Sequence, residues 1–79
     1  MTKALETYNR IFMTNFNKTE EELPSLKYRG FAAWDSIGHM DLISDLESAF
    51  DITMDPGDIL GFSSYEKGKE ILGKYGVDF

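Results

Sequence analysis

Apolar residues recur along most of this chain at intervals of three and four, the spacing of a helix face, and no segment alternates apolar with polar residues as a half-buried strand does. Leu5, Tyr8, Ile11, Phe12 and Phe16 mark a first helix that Thr2 can cap and that fades into the polar Asn15-Phe16-Asn17-Lys18-Thr19. Thr19, with Glu22 three residues on, has the form of a capping box for a short turn, which Leu23-Pro24 is expected to end. From Pro24 to Trp34 the chain is apolar enough to pack but has no helical period, so a long tethered loop is predicted there. A second helix should begin after Asp35 and run to about Phe50, with Asp51 to Met54 as a short connection. Asp55-Pro56-Gly57-Asp58 supplies an N-cap, a proline at the first helical position and an acid in the first turn, opening a short third helix over roughly 56–61. Ser63 and Glu66 repeat the Ser-x-x-Glu form ahead of a fourth helix with Tyr65, Ile71, Leu72 and Tyr75 as its inward face. Gly68 and Gly73 each weaken that helix by about 1 kcal/mol relative to alanine, so packing has to hold it. The fold class predicted is all-α.

The second helix shows how its two faces divide. At about 100° per residue, Leu42, Ile43, Leu46, Ala49 and Phe50 fall in one sector of roughly 120°, with His39 inside it. Asp41, Ser44, Asp45 and Ser48 lie opposite. Ile37 and Met40 fall on the polar side near the end where Ser36 emerges, with Glu47 close by. Single exposed apolar residues are common and need no function. Here two of them flank a serine and are ringed by carboxylates, the anatomy of a transient docking patch with an apolar centre and a charged rim.

At 79 residues the chain can build one domain and one modest core. It has no cysteine and one histidine, which excludes disulfides and thiolate metal sites and leaves no basis for a metal centre. No run is long and apolar enough for a signal peptide or a membrane span, so a soluble cytoplasmic protein is expected. The net charge is −6, and residues 35–66 hold eight acids with no Lys or Arg. Such a surface repels nucleic acid and anionic membranes and attracts proteins with basic patches, although acid-rich stretches more often serve only to solvate.

Three readings compete for Ser36. Asp35-Ser36 can simply start a helix, since both side chains accept backbone N–H bonds. Ser36 can be a nucleophile activated by His39, three residues on and on the same side of the helix. No third group is placed to orient that imidazole, no Gly-rich oxyanion loop is evident and there is little volume for a cleft, so His39 is expected to be a packed residue bonded to the neighbouring loop. Lastly, Ser36 can be a covalent attachment point, because a phosphodiester at the first turn of a helix meets free N–H groups and the positive end of the dipole. A separate enzyme would then do the chemistry, which accounts for a serine without machinery.

The chain resembles the acyl carrier protein family. The resemblance rests on Asp35-Ser36-Ile37, close to the family's Asp-Ser-Leu signature, on the helix pattern of Leu42, Leu46 and Phe50 behind it, and on Phe50-Asp51-Ile52 before a capped short helix. It covers nearly the whole chain and implies an antiparallel four-helix bundle, three main helices and one short one, with a long loop between helices 1 and 2. It implies a single carrier domain over residues 1–79 that is not an enzyme and has no catalytic residues of its own, with 4′-phosphopantetheine from coenzyme A attached to Ser36 by a phosphopantetheinyl transferase. The arm would hold an acyl or aminoacyl cargo as a thioester for loading and accepting enzymes. The rival reading from another class is an acidic helical interaction module that is never modified. Carried over by position, partner docking falls on Asp35, Ile37, Met40, Asp41 and Glu47, and a cargo pocket between helices 2 and 3 on Ile59 and Leu60. Gly38 stands where fatty-acid carriers commonly have an acid and resembles D-alanyl carrier proteins; Ser44 and Ser48 dilute the acidic face, and Trp34 is bulkier than a housekeeping fatty-acid carrier would suggest. A monomeric, freestanding carrier with its own start methionine, outside any large synthase, is the expectation.

Overall fold

The computed structural model describes residues 2–79. Among them lie four α-helices, α1 (Lys3–Phe16), α2 (Ser36–Phe50), α3 (Pro56–Gly61) and α4 (Tyr65–Gly73), with a 3-10 helix at Glu20–Ser25 between α1 and α2. The architecture is an all-α helical bundle, as the hydrophobic spacing predicts. Among the described residues no helix is long and apolar enough to cross a membrane.

Local chemistry fixes the helix ends. The Thr2 hydroxyl accepts the Leu5 N–H at 3.1 Å, and α1 stops where Asn17 enters the left-handed region at φ 54°, a conformation asparagine tolerates. The Glu22 carboxylate reaches back to the Thr19 N–H at 2.9 Å and to its hydroxyl at 3.1 Å. Pro24 does not end this turn as expected but lies inside the 3-10 helix. A helix of six residues asks for few internal N–H donors, and the Leu26 N–H closes it onto the Leu23 carbonyl at 3.0 Å. Helix α4 is capped by Ser64, whose hydroxyl accepts the Lys67 N–H at 2.9 Å, and not by Ser63. The Ser63 carbonyl instead takes the Tyr28 N–H at 2.9 Å.

Phe12 is the centre of the core. Its ring meets those of Tyr8, Phe16, Trp34, Phe62 and Tyr65, all buried. Aromatic contacts of this kind add roughly 0.5–1.5 kcal/mol each beyond area burial, which matters in a chain without covalent staples. Two tyrosines cross between α1 and α4: the Tyr8 hydroxyl donates to the Tyr65 carbonyl at 2.7 Å, and the Tyr65 hydroxyl donates to Asn9 Oδ1. Burial pushes the titration of both hydroxyls above the ordinary tyrosine range. A methyl group on Gly68 would sit 2.2 Å from Tyr8 Oη and 2.2 Å from Phe62 Cζ, so Gly68 is the residue that lets this part of α4 approach α1. Gly73 has no such neighbour within 4 Å.

Leu42, Ile43, Leu46 and His39 form the buried face of α2, while Ala49 is exposed and Phe50 half-buried. Ala49 lies at the edge of the predicted sector and is too short to reach inward; Phe50, in the last turn, meets Phe79 with ring centroids 6.3 Å apart. Helix α3 is held from outside itself. Asp55 takes the N-cap position without a side-chain cap bond, and its N–H donates to Tyr75 Oη at 2.9 Å. Tyr75 in turn donates to Asp58 Oδ2 at 2.6 Å, and Lys74 Nζ stands 2.6 Å from Asp58 Oδ1. Lys74, and after it Tyr75, hold the Asp58 carboxyl below its usual range.

Candidate functional site

The loop ahead of α2 is folded, not slack. The Tyr28 N–H and the Leu26 carbonyl bond to Ser63 and Tyr65 at 2.9 and 3.0 Å, forming the isolated bridge between Lys27 and Ser64. The Gly30 N–H closes a turn onto the Lys27 carbonyl at 2.9 Å, and the Arg29 N–H bonds to the Trp34 carbonyl at 2.8 Å. Arg29 sits at φ 62°, a left-handed backbone that costs a side-chain-bearing residue roughly 1–2 kcal/mol. Trp34 is 0 % exposed. It stacks on Phe16 at 5.1 Å and meets Phe12 edge-on at 5.5 Å, so the bulky residue before Asp35 is the anchor that ties the loop to α1.

Asp35 caps α2, its Oδ1 accepting the Gly38 N–H at 2.8 Å. Ser36 is the first helical residue and is exposed. Its Oγ is approached by the Tyr28 hydroxyl at 3.4 Å and by Arg29 Nη2 at 3.5 Å, both long for hydrogen bonds. The Arg29 guanidinium lies 5.4 Å from the centroid of the Tyr28 ring. Hydrogen bonding to Ser36, and secondly to Arg29, lowers the Tyr28 hydroxyl's titration below the ordinary range. A Cβ on Gly38 would fall 2.1 Å from the Ala33 carbonyl oxygen. Glycine is therefore required there by the loop packed against α2.

His39 is buried and bonded at both ring nitrogens. Trp34 Nε1–H donates to His39 Nδ1 at 2.9 Å, so Nδ1 is the acceptor and Nε2 carries the proton it donates to the Ile59 carbonyl at 2.8 Å. This meets the expectation of a packed histidine and extends it, since His39 joins the loop to α3 as well as to α2. With both nitrogens so engaged, His39 has no lone pair to offer Ser36 as a base.

The remaining candidates are distributed as follows. Ile37 and Met40 are exposed by 75 % and 52 %, and Asp41 is exposed beside them. Glu47 is half-buried, and its Oε2 accepts the Met54 N–H at 2.8 Å, so part of this carboxylate closes the turn between α2 and α3. Ile59 is half-buried against the core, but Leu60 is 86 % exposed and lies on the surface instead of lining a closed pocket. A cleft of about 360 Å³ lies between α3 and α4, not between α2 and α3, and its walls are Asp58, Gly61, Lys67, Glu70, Ile71 and Lys74. The Ile59 to His39 bond ties α3 to the first turn of α2 just ahead of Leu60.

Tyr28 and Arg29 are the residues near Ser36 that the sequence did not single out. Their signal was faint: Arg29 is the last cation before the acid-only stretch 35–66, but its return to Ser36 depends on the bond to Trp34. Comparison with protein-family models, with curated proteins and with solved structures finds no match.

Proposed function

We propose that the protein is a carrier whose Ser36 accepts a 4′-phosphopantetheine arm and whose α2 surface is offered to partner enzymes. The observation that carries this reading is an exposed serine at the first position of α2, with a cation and a phenol at its hydroxyl and its nearby histidine committed elsewhere. The residues present fit a phosphodiester. Arg29 supplies positive charge, Tyr28 a hydroxyl donor, and α2 the positive end of a helix dipole, while Asp35 spends one carboxylate oxygen on the Gly38 N–H.

Ser36 Oγ would displace adenosine 3′,5′-bisphosphate from coenzyme A, forming a new oxygen–phosphorus bond as the pyrophosphate bond breaks, its proton passing to a base of the transferase. When bound, the arm supplies the thiol for a thioester, chemistry for which this cysteine-free chain has no side chain of its own. On this reading the chain works as a cytoplasmic monomer, and Ile37, Met40 and Asp41 meet the transferase and the acyl- or aminoacyl-handling enzymes. Gly38 gives no preference between those cargoes, because its packing against Ala33 accounts for it.

The test is intact mass after incubation with coenzyme A and a broad-specificity phosphopantetheinyl transferase. Wild type should gain one phosphopantetheine and Ser36→Ala none. An unchanged wild-type mass, with binding to a partner retained, would favour an unmodified acidic interaction module.

A further inference from the structure

We infer that Arg29, steadied by Tyr28, is the residue that holds the phosphate of the arm attached at Ser36. This rests on the carrier reading and adds to it a specific anion-holding side chain. Arg29 Nη2 already stands 3.5 Å from the oxygen that would bridge to phosphorus. Arg29 is exposed and, among the described residues, forms no ion pair with a carboxylate, so its guanidinium keeps N–H donors for a ligand beside the one it shares with Tyr28.

The charge balance gives that availability a purpose. Asp35 precedes Ser36, and seven further acids follow up to residue 66 with no Lys or Arg among them. A phosphodiester on Ser36 adds another negative charge to this surface, beside the Asp35 carboxylate. Arg29 is the cation that meets Ser36 Oγ, and a guanidinium bonds phosphate oxygens through directed N–H donors as well as through charge.

The side chain is also held in place before any ligand arrives. Tyr28 is pinned by its backbone N–H to Ser63, its ring meets His39 with centroids 5.1 Å apart, and the Arg29 guanidinium lies over that ring. The Arg29 backbone is fixed by its own N–H to the Trp34 carbonyl. These contacts reduce the freedom this exposed side chain has to lose when the anion binds.

The test uses the whole chain, loaded with coenzyme A and the transferase, as wild type, Arg29→Lys, Arg29→Asn and Tyr28→Phe, with the arm confirmed by mass. Asparagine accepts the left-handed backbone at this position, so Arg29→Asn removes the charge while respecting the loop. The readouts are the phosphorus NMR shift of the phosphodiester, folded and in urea, and the Arg29 Nε–Hε signal before and after loading. The folded wild type should show a displaced phosphorus resonance and a moved Arg29 signal. Arg29→Asn should lose the displacement, with Arg29→Lys and Tyr28→Phe falling between. A loaded wild type that shares its phosphorus shift with Arg29→Asn, or whose Arg29 signal does not move on loading, overturns this inference alone. A wild type that takes no arm overturns the carrier reading and this inference together.

Discussion

Gly38→Ala is a one-methyl change whose sign separates two views of the glycine beside Ser36. If Gly38 were only a weak helix former, alanine would stabilise α2 by up to about 1 kcal/mol. The structure requires the opposite. The added Cβ would fall 2.1 Å from the Ala33 carbonyl oxygen, where ordinary contact begins near 3.4 Å, so the two must part by more than an ångström. The obstacle is backbone, and that backbone is tied down through Trp34 and through the Arg29 and Tyr28 N–H bonds. Overpacking of this kind costs about 1–3 kcal/mol, and the helix gain offsets only part of it, leaving a net loss of about 1–2 kcal/mol. For a chain of this size each kcal/mol moves the midpoint by about 4–8 °C, so Tm should fall by roughly 5–15 °C.

Two other glycines serve as internal controls in the same thermal melts followed by circular dichroism. Gly68→Ala meets Tyr8 Oη and Phe62 Cζ at 2.2 Å in the buried core and should lose at least as much. Gly73→Ala meets nothing within 4 Å and should gain about 0.5–1 kcal/mol. In amide NMR spectra the shifts caused by Gly38→Ala should concentrate at residues 28–36, where the loop has to move. A Gly38→Ala variant as stable as wild type, or one perturbed evenly along α2, would refute the steric reasoning.

Other outcomes follow from single contacts. His39→Ala leaves the Trp34 indole N–H and the Ile59 carbonyl without their partner, and at about 1–3 kcal/mol for each orphaned group urea unfolding should show a loss of at least 2 kcal/mol; a loss below 1 would contradict the bridge. Tyr8 and Tyr65 titrate above the ordinary value of 10.0 in the folded chain. Their contribution is therefore full below that pH and declines above it, as the unfolded tyrosines ionise first; Tyr8→Phe should flatten the alkaline fall, and an unchanged fall would contradict the assignment. Asp41→Lys should slow transfer of the arm to Ser36 more at low salt than at high salt, because screening already weakens the attraction; rates independent of salt would remove the electrostatic patch. Glu47→Lys should also lower stability by about 1 kcal/mol, since the Met54 N–H loses its acceptor, and equal melts for the two charge reversals would argue against that bond.

The helices were legible because their signals are local. Thr2 and Asp35 each cap their own first turn, Pro56 presets the backbone of its own, and the three-four spacing of Tyr8, Phe12 and Phe16 needs no knowledge of partners to point inward. What escaped the sequence depends on contacts between distant segments. Ser64, not Ser63, caps α4, and the Ser63 carbonyl accepts the Tyr28 N–H from across the fold. The glycines at 38 and 68 look like flaws in a helix until the Ala33 carbonyl, or the Tyr8 and Phe62 side chains, are set against them. Ser36 stood out through its position ahead of α2, but the neighbours that give its hydroxyl an electrostatic character, Tyr28 and Arg29, lie eight and seven residues away on a loop with no period to read.

Ser36 and His39 illustrate why spacing alone does not define chemistry. Three residues apart on a helix, they match the spacing of a nucleophile and its base. In the folded chain the imidazole serves as a bridge. Its acceptor nitrogen holds Trp34, which anchors the loop to α1, and its donor nitrogen holds Ile59 of α3. The same ring supports Tyr28, whose hydroxyl approaches Ser36 Oγ. His39 thus acts on the serine's surroundings through packing, fixing what stands beside the hydroxyl without exchanging a proton with it. A surface built this way keeps its serine accessible and without a base of its own, and the transfer proposed for it would be catalysed by another protein.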